Sequence, residues 1–193
     1  MATPRNETLN IPVGSAYVYC TEFTGEIPQN TAIETAQNHL GDIEAGLTLT
    51  YSSESSTLTD DFGNVKRTVM TSEDVKAKLG LITWNYAALQ KLTSTARVKE
   101  ADGVRTVKIG GLNNCDDKQW LFRFYHPDKK AGDVRITIVG TNTGGLELAY
   151  TKDAATKLEP EITALPSDDE GTLIIFEESI SASDQEDNPT PGA

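Results

Sequence analysis

Short runs in which apolar and polar residues alternate recur along most of this chain, and they predict β-strands. In the segment at 43–51, every second residue from Leu47 to Tyr51 is apolar and the residues between them are threonines. Successive side chains of a strand point to opposite faces, so this strand would have one apolar and one polar face. Comparable alternation, or enrichment in aromatic and β-branched residues, predicts further strands at 15–23, 66–84, 119–127, 133–140, 146–154 and 171–179.

Two of these segments carry additional signals. The segment at 96–112 contains two alternating runs joined by a turn at Asp102-Gly103, which predicts a β-hairpin. The strand at 66–84 is expected to break near TSED, at 71–74.

A long polar segment follows the strand at 43–51. Residues 52–63 read SSESSTLTDDFG, which contains too few apolar side chains to bury one face. Loops of this length without structure of their own are uncommon unless they are functional or disordered. We therefore expect a polar arm at about 52–64 that becomes ordered only when it meets a partner.

Helical periodicity is clearest in NYAALQKLT, at 85–93. Tyr86, Leu89 and Leu92 recur at helical spacing, and Asn85 is a suitable N-cap. A helix this short is marginal alone, so it is expected to pack against a sheet. The segment at 25–41 is compatible with either a loop or a short helix.

These elements predict a mainly β domain of the α+β kind, built as a β-sandwich or partial barrel of roughly eight short strands with one short packed helix. The domain would span residues 13–179. Residues 1–12, which include Pro4 and Pro12, are expected to form an extended N-terminal arm. Residues 180–193 have the acidic, proline-containing composition of a flexible tail.

Acidic residues are concentrated towards the C-terminal end. All 17 Lys and Arg residues lie at or before Lys157 together with 19 of the 29 acids, and ten acids but no base follow. These acids either form a solvated surface that aids solubility, or form a surface that repels nucleic acid or docks a basic partner. The net charge of −12 disfavours nucleic-acid binding through a basic patch.

Neither a secretory signal nor an apolar run of about 20 residues is visible in the sequence. We therefore expect a protein that folds in a cytoplasm and has no membrane partner.

Residues that could perform chemistry do not form a recognisable motif. Cys20 and Cys115 lack metal-site spacing, and His39 and His126 lack the spacing of a paired ligand set. The acids of TLTDDFGNV, at 57–65, are a weak calcium signal because the rest of a calcium loop is missing. The sequence predicts no catalytic residue, no metal site and no cofactor.

Three stretches in this order carry a resemblance to a known family: GDIEAGLTLTY with its polar insertion, KRTVMTSEDVKAKLGLITWNYAALQKLT, and a strand-rich second half closing with GTLIIFEES. Over residues 13–179 the chain resembles the major tail tube protein of long-tailed, siphovirus-like bacteriophages. The resemblance implies a structural virion protein that self-assembles as stacked hexameric rings. In each ring the subunits lend strands to one continuous β-barrel, through which genome DNA is delivered.

The resemblance also implies partners and positions. The partners are other copies of this chain, a tape-measure protein, tail-tip and tail-terminator proteins, and DNA that passes through the lumen without specific binding. The protein would reside in the virion tail after assembly in the host cytoplasm.

Site residues follow from the same resemblance. The residues expected to contact a neighbouring ring are Ser53, Glu54, Ser55, Thr57, Leu58, Asp60, Asp61 and Phe62. The residues expected on strands of the ring barrel are Leu47, Thr48, Leu49, Thr50, Tyr51, Arg135, Ile136, Thr137 and Ile138.

Two other classes of protein are the alternatives. A cell-surface or carbohydrate-binding β-sandwich of a phage particle would expose an aromatic platform, for which Trp120, Phe122 and Phe124 are candidates, although we expect these residues in the core. An enzyme would need a catalytic constellation that the sequence does not display.

Overall fold

The computed structural model describes residues 14–63, 66–128 and 132–179. The arm predicted at 1–12 and the tail predicted at 180–193 lie outside the described residues.

Strands dominate the described part of the chain, which confirms the predicted mainly β class. They are β1 (Tyr17–Glu22), β2 (His39–Thr59), β3 (Lys66–Thr83), β4 (Arg97–Ala101), β5 (Val104–Lys108), β6 (Trp120–His126), β7 (Val134–Asn142), β8 (Glu161–Ala164) and β9 (Ile175–Glu178). Two short helices accompany them, α1 (Asn30–Ile33) and α2 (Ala88–Leu92), with a 3-10 turn at Leu112–Asn114. Among the described residues, neither helix is long and apolar enough to cross a bilayer.

Seven of the strands form one antiparallel sheet in the order β6-β1-β2-β3-β8-β7-β9. Because β6 also pairs with β7, the sheet curls back towards its first strand and forms a partial barrel. The seam between β7 and β8 is short, from Gly140–Ala164 to Asn142–Ile162. Glycine permits this seam, since a Cβ on Gly140 would lie 2.2 Å from the carbonyl oxygen of Thr163.

The main core lies on the concave face of this sheet, where α2 also packs. Phe122 and Phe124 are buried there and Trp120 packs against them, as expected for core positions. A smaller cluster of Ile33, Leu121 and Val139 lies on the other face of β6 and β7. Ile33 belongs to α1, so the segment that contains α1 covers the outside of the barrel at this point.

The helix predicted at 85–93 is shorter than expected and begins at Ala88. Asn85 Oδ1 accepts hydrogen bonds from the backbone N–H groups of Ala87 and Ala88, at 2.9 and 3.2 Å. Asn85 therefore caps a turn that leads into α2. Leu89 and Leu92 are buried, whereas Tyr86 is exposed.

The strand predicted at 146–154 is wrong, because this segment has no regular secondary structure. The unpredicted strand β8 instead bridges β3 at Lys76–Lys78 and β7 at Gly140–Asn142. Because β8 occupies these edges of β3 and β7, the segment at 146–154 does not pair there. Its Leu148 nevertheless packs against the main core.

The hairpin at 96–112 is confirmed as a separate two-stranded sheet of β4 and β5. Its turn residues Asp102 and Gly103 both have positive φ angles, of 53° and 75°. That conformation matches the Asp-Gly turn signal in the sequence.

Candidate functional site

The two longest strands, β2 and β3, continue together well beyond the barrel. They are 21 and 18 residues long. Every described side chain of residues 52–63 and 66–73 is exposed, on both faces of the hairpin. We call these residues the hairpin arm. From Tyr51 to the end of β2 at Thr59 it extends about 27 Å at a rise of about 3.4 Å per residue.

All eight residues predicted to contact a neighbouring ring lie on the hairpin arm. Five are on β2 and three are in the turn that follows it: Ser53, Glu54, Ser55, Thr57, Leu58, and then Asp60, Asp61 and Phe62. The side chains are exposed, but the prediction of an irregular loop that orders on meeting a partner is wrong. The β2 part is already paired within one chain.

Pairing with β3 explains why this polar segment is a strand. Ser53 lies opposite Glu73 and Thr57 lies opposite Thr68, so the backbone groups that face the partner strand are satisfied without burying the side chains. The break predicted at 71–74 is a β-bulge, in which Thr71 is the extra residue of β3.

Both outer edges of the hairpin arm lack a neighbouring strand among the described residues. β1 pairs with β2 only between His39 and Asp42, and β8 pairs with β3 only at Lys76–Lys78. The strand parts of the arm, 52–59 and 66–73, therefore each present an outer edge whose backbone groups lack a strand partner. Exposed strand edges of this kind are templates for pairing with another chain.

Side chains on the arm, together with Tyr51 at its base, combine internal polar bonds with exposed apolar groups. Tyr51 Oη donates a hydrogen bond to Glu73 Oε2 at 3.1 Å, and this bond raises the pKa of Tyr51. The hydroxyls of Thr57 and Thr68 lie 3.1 Å apart. Towards the tip, Leu58 is 63% exposed and Phe62 is 87% exposed. An apolar tip in water gains from burial against another surface.

A groove of about 480 Å³ lies where the arm leaves the barrel. One wall comes from β2 and β3 and the other from the segment that leads into β9. Among the described strands, β9 pairs only with β7, so its second edge is free. The apolar side chains of the groove are Leu49, Tyr51, Val75, Leu173, Ile174 and Phe176.

The residues predicted on barrel strands lie in two separate parts of the partial barrel. Leu47, Thr48, Leu49, Thr50 and Tyr51 are on β2, whereas Arg135, Ile136, Thr137 and Ile138 are on β7. The two strands are not neighbours in the sheet. The outer face of β2 exposes Thr48 and Thr50, but on the outer face of β7 Thr137 is buried.

A buried arginine on β6 links α1 to the sheet and also pairs with a residue of β9. Arg123, on β6, is 1% exposed. Its Nη1 donates a hydrogen bond to Asn30 Oδ1 at 2.6 Å and lies 3.4 Å from Glu34 Oε1. It also lies 3.0 Å from Glu177 Oε2, as an ion pair without hydrogen-bond alignment. Burial lowers the pKa of Arg123, and the charges of Glu177 and Glu34 oppose that shift.

A second arginine, Arg135, also pairs with the carboxylate of Glu34. Arg135 Nε donates a hydrogen bond to Glu34 Oε1 at 2.6 Å, which raises the pKa of Arg135. Its guanidinium stacks 4.5 Å from the ring centroid of Tyr125. Sequence reasoning missed this network. The available signal was an arginine inside the otherwise apolar and aromatic run WLFRFY.

The groups considered for chemistry occupy ordinary structural positions. Cys20 is buried, and burial raises the pKa of its thiol to about 12. His126 Nδ1 lies 2.7 Å from the carbonyl oxygen of Ser15, and His39 Nε2 lies 3.4 Å from Asp42 Oδ1. In the described ranges, His, Cys, Asp and Glu form no group of three that could hold a metal ion.

No protein-family model matches the sequence, and no curated protein matches it significantly.

Proposed function

We propose that this chain is a structural virion protein, the subunit that self-assembles as stacked hexameric rings into the tail tube of a bacteriophage. The tube would be the conduit for genome DNA delivery. The observation that carries this proposal is the hairpin arm, which is exposed on both faces and unpaired along both edges.

The physical argument concerns what such an arm gains from a neighbour. A two-stranded hairpin without a core is marginally stable in water. Contact with a second subunit would bury Leu58 and Phe62 and could satisfy the free strand edges. If the arm of one subunit binds the body of the next subunit along the tube axis, the contact is head-to-tail and, in this proposal, does not close on itself. Repetition of a non-closing contact generates an open filament.

Contacts around each ring would use the body of the subunit. The free edge of β9 and the groove beside it leave the barrel wall incomplete between β3 and β9. Neighbours could complete this wall, because sheet closure removes exposed edges. The proposed partners are further copies of the chain, tape-measure, tail-tip and tail-terminator proteins, and DNA in transit. The proposed location is the virion tail, after assembly in the host cytoplasm.

The carbohydrate-binding alternative has less support. Its platform would need exposed aromatic side chains on β6, whereas Phe122 and Phe124 are buried in the core.

Excision of the arm tests the proposal. Ser53 and Glu73 lie directly opposite each other, so residues 54–72 can be replaced by an Asn-Gly turn that closes the shortened hairpin. We expect this variant to melt cooperatively as a folded monomer and to form no tubes under conditions in which the wild type does. Electron microscopy and sedimentation provide the two readouts.

A graded pair of variants separates the role of the arm from general loss of exposed apolar surface. Leu58→Thr combined with Phe62→Ser keeps the hairpin and is expected to slow elongation. Leu112→Thr removes a side chain that is 93% exposed outside the arm, and is expected to leave elongation unchanged. Normal tubes from the excised variant would refute the proposed role of the arm.

A further inference from the structure

The β4–β5 hairpin has two different faces. Val98 and Glu100 lie on one face with their partners Val107 and Arg105, and there Arg105 Nε pairs with Glu100 Oε1 at 2.6 Å. Val107 packs against the main core, so this face lies towards the body.

The other face carries positive charge that no acid of the described residues neutralises, and Arg97 Nη2 donates only a hydrogen bond to the carbonyl oxygen of Gly110, at 3.2 Å. Arg97 lies directly opposite Lys108, and Lys99 follows two residues along β4. All three are exposed, and within the described residues none of them forms an ion pair. We call Arg97, Lys99 and Lys108 the basic face.

This register is unfavourable for an isolated chain. Like charges directly opposite each other on paired strands destabilise the pair. Natural sequences break such local rules mainly at functional sites, where a partner offsets the cost. An anionic partner would turn the repulsion between Arg97 and Lys108 into a shared attraction.

An exposed acidic surface lies elsewhere on the same chain. Asp168, Asp169 and Glu170 form an exposed turn before β9. Asp168 Oδ1 accepts hydrogen bonds from the backbone N–H groups of Glu170 and Thr172, at 3.1 and 2.9 Å. These bonds fix the shape of the turn, in which Asp169 and Glu170 are exposed. Among the described residues, no ion pair joins the turn to the basic face.

We propose that the basic face of the β4–β5 hairpin binds the acidic turn at 168–170 of a second copy of this chain. The contact is separate from the hairpin arm, and it rests on the proposed self-assembly because it requires neighbouring copies. Charge complementarity favours a second copy over nucleic acid as the occupant. The net charge of −12 repels phosphates and other copies alike at long range, so it is the exposed acidic turn, present on every copy, that makes a second copy the occupant.

Zero-length cross-linking tests the contact directly. A mixture of unlabelled and ¹⁵N-labelled wild-type protein is treated with a carbodiimide, which joins lysine amines to carboxylates in contact. We expect mixed-isotope peptides that link Lys99 or Lys108 to Asp169 or Glu170. Their yield should fall when salt rises from about 50 mM to about 500 mM, because screening weakens exposed charge pairs.

Charge reversal supplies the matched variants. Lys99→Glu with Lys108→Glu should abolish these links and slow association on the order of tenfold or more, since attraction between the surfaces becomes repulsion. The hairpin itself is preserved, because Glu at 108 would face Arg97. Adding Asp169→Lys and Glu170→Lys should restore association and produce the reversed cross-links. Lys152→Glu changes an exposed lysine elsewhere and should behave as the wild type.

The possible outcomes separate this contact from the proposed function. Tubes that form at the normal rate from the Lys99→Glu, Lys108→Glu protein overturn the contact and leave the tube subunit standing. Links between copies in a protein that never forms tubes support the contact and count against the tube. Links confined within one chain, links to acids at 180–193 instead of 168–170, or charge-dependent retention on DNA without links between copies overturn the contact.

Discussion

Replacement of Arg123 by methionine should destabilise the fold strongly, although the residue is a charged side chain in a mainly apolar sheet. The substitution removes the hydrogen bond to Asn30 at 2.6 Å and the ion pairs to Glu34 and Glu177. Removing one partner of a fully buried ion pair costs about 3–5 kcal/mol, because the other charge remains buried without compensation.

Two features place the expected loss at the lower end of that range. Glu34 keeps Arg135 as a partner at 2.6 Å, and the side chain of Glu177 is 43% exposed, so its carboxylate is only partly desolvated although Oε2 is buried. We therefore expect the free energy of unfolding to fall by about 3 kcal/mol. For a domain of 150–250 residues each kcal/mol lowers Tm by about 2–4 °C, so the melting temperature should fall by about 6–12 °C.

Thermal unfolding followed by circular dichroism measures this shift. The matched control is Lys118→Met, which breaks an ion pair of 2.6 Å to Glu22 at a site where both side chains are substantially exposed. Exposed pairs contribute little, so the control should move Tm by only a small fraction of the shift expected for Arg123→Met. Equal shifts for the two variants would refute the reasoning that the buried network tethers α1 and β9.

Gly140→Val should lower the free energy of unfolding by about 1–3 kcal/mol, because the new Cβ would overlap a backbone carbonyl of β8. An unchanged denaturation midpoint would contradict this close approach of β7 and β8. Cys20 should resist Ellman's reagent at pH 8 while Cys115 reacts, because burial raises the pKa of Cys20 to about 12; rapid reaction of both thiols without denaturant would contradict this burial. Hydrogen bonds from Thr172 lower the pKa of Asp168 in the folded protein. The ionised carboxylate therefore stabilises the fold fully above the ordinary aspartate pKa of 3.8, and this stabilisation is lost as pH falls through the lowered pKa. The difference in Tm between the wild type and Asp168→Asn should accordingly be present at pH 6 and disappear in strong acid, and a pH-independent difference would argue against this sign.

Local patterns were sufficient to predict the strands whose side-chain alternation is set by one buried face. The body part of β2 is of this kind, whereas β7 is buried on both faces from Thr137 to Gly140. The segment at 146–154 alternates equally well, yet it is a loop. Which segment fills the gap between β3 and β7 depends on contacts across the fold, and β8 fills it with only four residues.

The hairpin arm likewise has one property that the local sequence predicts and one that it does not. Its polarity predicted that residues 52–63 would remain exposed, and they are. Its pairing with 66–73 was not visible, because serine- and threonine-rich segments are compatible with both loops and solvated strands. Strand pairing also depends on register between two segments, which neither segment specifies alone.

The network around Arg123 could not be assembled from sequence either. Glu34 is separated from Arg123 by 89 positions and from Arg135 by 101. An arginine within an apolar run indicates that a buried partner exists, but nothing local identifies that partner.

Electron cryomicroscopy of the purified wild-type protein at high concentration, alone and with tail-tip components added, tests most directly whether this chain is a repeating element of a tube wall. Hollow tubes of stacked hexameric rings, with residues 53–62 of each subunit contacting the adjacent ring, are the predicted result. Dispersed monomers under both conditions, or closed particles in which the hairpin arms contact no neighbour, would contradict the proposal.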